Sequence, residues 1–530
     1  MLFKSERNWT NIGLFITMCA LIVIFLVAVL VTVESHDEYE SALFQRTQLL
    51  ERGLNMMLGN DLELSDAEEQ VNEYIMELKR EEVDFGFSHP QHFNYSKHFF
   101  DYKDEVQHTQ LFKIIKQMPK GALLHAHDTG MLSPEYVVTL TYLENLYVCF
   151  EEETVKFLFA RELPTSDCST QWQLMRDARY SSGNVEKFDE NLKKYFTLVI
   201  DDHSEIYTDI NIVWQQFQDY FIRTTDLFTY EPVWEQYFYD TLKALREDNV
   251  MYLEIRSVLP GLYDLDGNVY DEMETLASYK RVIDRFSKDY PDFFGAKIIF
   301  APLRSVQPET VKEYLQKAKI MKRDYAGIFA GFDLVGQEDL GRPTKDFLKE
   351  LISEGEDIDF FFHAGETNWY GTSSDENLVD AIVLNARRIG HAFALIKHPF
   401  LLEEVKKRNI AIEGNVISNV VLKLVEDTRN HPLASFIAQG LPVVLASDDP
   451  GIWGADPLSL DFFVTFVGVA SRHADLRLLK KLALNSLYYS TYSNKDKIVH
   501  DIYNNTFVNS NLSDICIYIN LKETTNSGSM

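Results

Sequence analysis

Only four cysteines occur in 530 residues, too few for a scaffold built on disulfides. Long apolar runs are equally scarce. There is one, which excludes a multi-span membrane protein. Basic side chains are in deficit, 51 against 81 acidic ones, for a net charge of −30. A surface that acidic repels phosphate backbones, which argues against nucleic acid as a partner. The sequence has no Walker loop, no Gly-x-Ser-x-Gly and no Gly-x-Gly-x-x-Gly, so kinase, serine hydrolase and dinucleotide-binding readings have no support. Repeats and low-complexity tracts are also missing. What remains, 46% apolar and 25% charged residues, is ordinary for a globular protein, and the length suits one large domain with additions or two to three domains.

The one apolar run, residues 13–33, follows Lys4 and Arg7 and precedes Glu34, Asp37 and Glu38. Its length suits a single span, and its flanks direct the downstream chain outward. A signal peptide is the alternative, with Val33-Glu34-Ser35 as a weak cleavage site. Either reading puts the remainder in the secretory pathway: secreted and extracellular, or signal-anchored with the bulk of the chain outside. Glycosylation acceptor patterns at Asn94, Asn504 and Asn511 agree with that compartment. Cys19 lies in the apolar run and Cys516 near the C-terminus. Cys149 and Cys168 lie in a polar region, where an oxidising compartment lets them pair; two unrelated thiols is the other reading.

Residues 35–110 carry apolar positions at helical spacing and no apolar strand. From residue 121 short apolar runs ending in polar or glycine residues alternate with helical stretches. They cover 121–127, 250–257, 296–302, 328–336, 358–366, 387–393, 409–415 and 442–449. Near-continuous apolar strands alternating with helices indicate a parallel sheet covered on both faces, and eight units predict a TIM-type (β/α)8 barrel. The gap between the first two runs is too long for one unit, so an insertion of about 140–197, polar and irregular, is expected after the first strand. The expected organisation is 1–34 signal segment, 35–110 helical region, 111–515 barrel and 516–530 tail.

The chemistry lies at the strand ends. The first run ends His125-Ala126-His127-Asp128, the fifth His363-Ala364-Gly365-Glu366, the sixth carries His391, and the eighth ends Asp448-Asp449. Side chains at i and i+2 point to one side of a strand, so His125 and His127 face together. In a barrel these ends meet at one face. Three imidazoles and a carboxylate there (His125, His127, His363 and Asp448) make a site for zinc or a similar divalent ion. Glu366, His391 and Asp449 are left without a structural duty beside a metal that activates water. Singly, each piece has a blander explanation: a chance His-x-His, a core histidine, an Asp-Asp-Pro turn, a helix-capping Glu366. Their shared position at the ends of four apolar runs is what defeats those explanations. His203-Ser204-Glu205 matches half of the cytidine-type zinc deaminase signature, but the required Pro-Cys-x-x-Cys is missing.

The stretches MPKGALLHAHD, GFDLVGQED, FFHAGETNWYGTSSDENLVDAI, NARRIGHAFAL, ISNVVLKLVEDTRNHP and VVLASDDPGIWGA, in this order, resemble the adenosine deaminase-related growth factors of the adenosine deaminase 2 type. The resemblance spans most of the chain. It implies a secreted zinc-dependent barrel enzyme, one Zn2+ per subunit, converting adenosine and 2′-deoxyadenosine to inosine and ammonia. It implies homodimerisation through the N-terminal helices and a receptor-binding role for the insertion. By matching motif, His125, His127, His363 and Asp448 hold zinc, Glu366 gives a proton to the purine and His391 assists deprotonation of the water. Asp449 and the backbone of Gly336 contact the base, Asp128 holds the ribose, and the stretch from Trp214 lines the pocket. The sequence departs from the family pattern at Asn415-Val416, where Cys-Pro is usual, at Ala392 for a glycine, and at Gln337 and Leu303 for histidines. These changes predict an active but weakened enzyme or one with shifted substrate preference. A growth-factor-like receptor ligand with residual catalysis is the reading from another class; a different metal-dependent amidohydrolase is disfavoured by GETNWYGTSSDEN and ISN.

Overall fold

The computed structural model describes residues 6–152 and 154–494. Asn504, Asn511, Cys516 and the expected tail lie outside the described residues. The chain divides into two compact units between Met57 and Leu58.

The first unit is one helix, Glu6–Met56. Its segment Gly13–Leu30 is long and apolar enough to cross a membrane, and none of it is buried. The one hydroxyl there, Thr17 Oγ1, donates back to the carbonyl of Gly13 at 2.8 Å, which satisfies a polar group inside an apolar segment. An apolar helix at this position is compatible with a signal peptide and with a signal anchor.

The second unit begins with a helix over Asp66–Ser88, started by a capping box in which Ser65 accepts from the Glu68 backbone and Glu68 accepts from that of Ser65. Buried Glu68 also pairs with Lys480 at 2.7 Å, which ties this helix to the helix Leu476–Tyr488. The eight apolar runs each contain a strand: Gly121–Leu123, Val250–Ser257, Ala296–Phe300, Phe329–Phe332, His363–Ala364, Arg388–His391, Ala411–Gly414 and Val443–Leu445. Every neighbouring pair is parallel, and the eight form two four-stranded sheets in sequence order. Nearly every strand position is buried, as expected where helices cover one face and side chains fill the other. Isolated parallel bridges join Phe332 to Phe360, between the fourth and fifth runs, and Ala126 to Asp448, between the first and the eighth.

The long gap after the first strand holds a three-stranded antiparallel sheet of Leu146–Phe150, Val155–Phe159 and Gln173–Leu174, and the helices Met175–Ser181 and Val185–Lys193. The region is more regular than its sequence suggested: LYVCF and VKFLF are strands whose inner positions are buried. Cys149 and Cys168 form a disulfide, with Cα atoms 6.0 Å apart, beside buried Tyr147 and Trp172.

Candidate metal centre

The first strand runs on past Leu123 in extended form, so that the imidazoles of His125 and His127 emerge on one side. The bridge from Ala126 to Asp448 sets them against the eighth strand. His363 opens the fifth strand opposite Gly390, and a Cβ on Gly390 would lie 2.9 Å from His125 Cε1. Only glycine at that position leaves room for the imidazole. Asp448 sits at φ 62°, in the left-handed region, and Ser418 Oγ donates to its Oδ2 at 2.7 Å. Strained backbone of this kind persists where the surroundings over-determine it.

His125, His127, His363 and Asp448 each offer a ligand atom, all within 4.8 Å of one another, and Glu366, His391 and Asp448 form a second such group. A cation fits the first group on chemical grounds. His125 Nδ1 pairs with Glu413 Oε2 at 2.7 Å and His363 Nδ1 with Asp333 Oδ2 at 2.7 Å. Each carboxylate takes the ring hydrogen, so the Nε2 lone pairs point inward, an arrangement usual behind metal-bound histidines. His125 Nε2 is then a lone pair 3.3 Å from Asp448 Oδ1, buried and without a hydrogen-bond partner. Two acceptors facing each other at that distance require a positive charge between them. His127 Nε2 lies 3.0 Å from the same oxygen.

Arg256 joins the two supporting carboxylates. Its Nε donates to Asp333 at 2.7 Å and its Nη2 to Glu413 at 2.8 Å. It also reaches the carbonyls of Leu124 and Phe361, next to His125 and near His363. Arg388 takes the other oxygen of Glu413 at 2.5 Å and pairs with Glu254 at 2.8 Å. Although burial opposes it, Arg256 and Arg388 hold the Glu413 carboxyl well below its usual range.

Around the cluster, burial pushes Glu366 well above the ordinary carboxyl range, helped by the charges of Asp448 and Glu338, so it carries a proton. Glu338 accepts from the backbone N–H groups of Gly365 and Glu366 at 3.1 and 2.8 Å and so fixes that turn. Burial and the Asp448 charge likewise push Asp449 up, which makes it a donor. Asp448 itself stays well below its usual range; burial opposes this, but the neighbouring histidines favour its anion. Burial lowers His363 to about 3.

The structure brings His125, His127, His363, Asp448, Glu366 and His391 together. Asp449 adjoins them against Gly130, where a Cβ would strike its Oδ1. Asp128 is half-buried, and its carboxylate accepts from Tyr279 at 2.9 Å. Gly336 turns at φ 107°, and its neighbour Gln337 donates to Asn211 at 3.0 Å. That contact ties the Gly336 loop to the helix Ile210–Phe228, which carries Trp214 edge-on to Phe217. Cys149 and Cys168 stand apart in the insertion. Leu303 is 55% exposed and bridges to Val335. Sequence reasoning missed Asp333, Glu413, Arg256, Arg388 and Glu338. The available signal was a lone charge inside an apolar strand, which must find a partner once buried.

The family model for adenosine deaminase matches residues 187–505, and that for the adenosine/AMP deaminase N-terminal region matches residues 20–115. A protein named adenosine deaminase from Phlebotomus duboscqi is 43% identical over 463 residues, covering 87% of this chain and 89% of its own. Adenosine deaminase 2 of Homo sapiens is 41% identical over 458 residues, covering 85% and 89%. The crystal structure of adenine deaminase from Arthrobacter aurescens superposes with a TM-score of 0.51 at 20% identity, over 73% of this chain and 98% of that one, a likeness of fold.

Proposed function

This chain belongs to the adenosine deaminase family, and from that premise we propose how its residues divide the hydrolysis of adenosine, and of 2′-deoxyadenosine, to inosine and ammonia. The chain is a zinc-dependent hydrolytic deaminase. The observation that carries the assignment is the convergence of three histidines and an aspartate, with His125 and His363 each backed by a buried carboxylate and a protonated Glu366 beside them.

His125, His127, His363 and Asp448 hold the ion. Zinc bound there supplies the Lewis acidity that makes a water nucleophilic near neutral pH. Glu366 gives its proton to purine N1 while the water oxygen bonds to C6. His391 faces that oxygen and assists its deprotonation. The C6–N bond then breaks and ammonia leaves; the two water protons end on the ammonia and back on Glu366. Asp449, protonated, donates to the base, and the backbone of Gly336 contacts its far side. Asp128, held by Tyr279, takes the ribose, and Trp214 walls the pocket.

The finer architecture belongs to the same proposal. The two sheets close into a barrel, which the bridges at Phe332–Phe360 and Ala126–Asp448 support. The chain divides into a signal segment, an N-terminal helical region that pairs two copies, a barrel and a receptor-binding insertion held by Cys149–Cys168. The catalytic part faces the extracellular side, where it depletes adenosine and acts as a growth factor. Exposed Leu303, apolar at a strand end beside the Gly336 loop, favours a second reading in which receptor binding outweighs a weakened catalysis.

The test is inosine production from adenosine by the purified, zinc-replete chain, with Glu366→Gln beside it. Activity that falls at least about 10²-fold in the variant supports the assignment. Folded, zinc-loaded protein without activity sinks it and favours the receptor-ligand reading.

A further inference from the structure

Asn419 and His431, in the stretches ISN and NHP, are buried and outside the ligand set. They form a relay whose direction is set at one end by a group that can only donate. The backbone N–H of Leu433 donates to His431 Nδ1 at 3.0 Å. That nitrogen therefore bears no hydrogen, and the ring hydrogen of His431 is on Nε2. His431 Nε2 donates to Asn419 Oδ1 at 3.0 Å. The amide is thereby turned with Nδ2 toward His391, 3.0 Å from its Nδ1. An amide NH2 only donates, so His391 Nδ1 accepts, and the hydrogen of His391 must be on Nε2.

His391 Nε2 faces the ligand cluster, 3.7 Å from Asp448 Oδ2, buried and with no hydrogen-bond partner among the described residues. Glu366 Oε1 is the one competitor for the other nitrogen, at 3.4 Å, and it makes no hydrogen bond there. Phe393 packs edge-on against His431, with centroids 5.5 Å apart, and holds its ring plane.

We propose that Asn419 and His431 are positioning residues that fix the hydrogen of His391 on Nε2, so that His391 meets the attacking oxygen as a hydrogen-bond donor. The role toward that oxygen rests on the deaminase reading; the placement of the hydrogen does not. A donor there assists deprotonation by stabilising the charge that gathers on the oxygen, and its own hydrogen stays on the ring throughout. The resemblance implies assistance from this histidine; the relay specifies that it comes without accepting a proton.

The experiment is 15N NMR of the full, zinc-loaded chain in detergent, selectively labelled at histidine nitrogens, with His391→Gln to assign the resonances. The expected result is a protonated Nε2 and an unprotonated Nδ1 for His391. A hydrogen on Nδ1 overturns the proposal, whatever the enzyme's activity. Asn419→Asp supplies an acceptor in place of the donor and should move the hydrogen to Nδ1. It should also lower kcat about 10²-fold while KM changes little. A moved hydrogen with unchanged kcat would refute the donor role. Should that variant not fold, His431→Phe, which frees the Asn419 amide to turn, is expected to give a mixed Nδ1/Nε2 signal; an unchanged signal would count against the relay. Loss of deaminase activity from the wild-type chain, by contrast, would sink the functional reading and leave the spectrum to decide the tautomer.

Discussion

Two arginines in this molecule gather carboxylates with almost the same distances and to opposite effect. Arg281 lies on the surface, 45% exposed, and reaches Glu231, Glu235 and Glu274 at 2.8, 2.8 and 2.6 Å. Arg256 is fully buried and reaches Asp333 and Glu413 at 2.7 and 2.8 Å. Around Arg281 water competes for every bond, and exposed pairs contribute little. Around Arg256 the protein itself supplies the partners, since two further donors go to the carbonyls of Leu124 and Phe361. Removing Arg256 would leave Asp333 buried without its guanidinium and Glu413 with Arg388 alone. The lesson is that a list of ion pairs says little here; what separates function from ornament is what lies on the other side of the carboxylate. Behind Glu413 and Asp333 stand His125 and His363, two histidines of the candidate metal cluster. Behind the partners of Arg281 is solvent.

The largest expected effect follows from that contrast. Arg256→Met should cost about 3–5 kcal/mol of stability. The surviving folded protein should also lose zinc affinity by about 10–100-fold, since the two carboxylates that orient His125 and His363 lose the guanidinium that holds them. Chemical denaturation and chelator competition measure the two quantities. A loss of stability no greater than that of a surface pair, with zinc affinity intact, would break the comparison.

That buried network also marks the limit of what the sequence could tell. The four ligands and Glu366 were legible because parallel strands read as apolar runs, and polar residues that end such runs stand out. The resemblance then named their roles. The supporting residues were visible as anomalies, Glu254 and Arg256 in VMYLEIRS, Asp333 in GFDLVG and Glu413 in AIEG, but not as partners. Arg256 meets Glu413 only because the two sheets bring distant strands together, a relation absent from any local pattern. The insertion failed for a different reason. Its polar loops dominate the composition of 140–197 and hide two five-residue strands, Leu146–Phe150 and Val155–Phe159. The fifth strand is the weakest match, with His363–Ala364 the only strand residues of an apolar run expected over 358–366. The bulk of that run pairs through the single bridge at Phe360 instead.

A position between the two extremes sharpens the comparison. Leu303 is 55% exposed, at the end of a strand beside the Gly336 loop, where the resemblance implies a histidine. On the proposed reading, a histidine there adds one polar contact to the substrate. Leu303→His should lower KM for adenosine up to about tenfold, the worth of a single hydrogen bond of about 1 kcal/mol or more once desolvated. Stability should move by less than about 0.5 kcal/mol, because the side chain is not part of the core. Steady-state kinetics beside a denaturation curve separates the two. An unchanged KM would mean that substrate does not reach this strand end.

The smallest effect is expected at the residue with the most ion pairs. Arg281→Met breaks contacts to three glutamates, yet it should cost less than about 1 kcal/mol, and that cost should vanish at high salt. Zinc affinity and kcat should not change, since none of Glu231, Glu235 and Glu274 touches a ligand or Glu366. A salt titration of the denaturation midpoint measures this directly. If instead the loss approached that of Arg256→Met and persisted in high salt, burial would not be the variable that separates the two arginines. The helices that Arg281 links, Ile210–Phe228's neighbour Glu231–Glu247 and Glu272–Asp289, would then have to be counted among the supports of Asp128, which accepts from Tyr279 on the second of them.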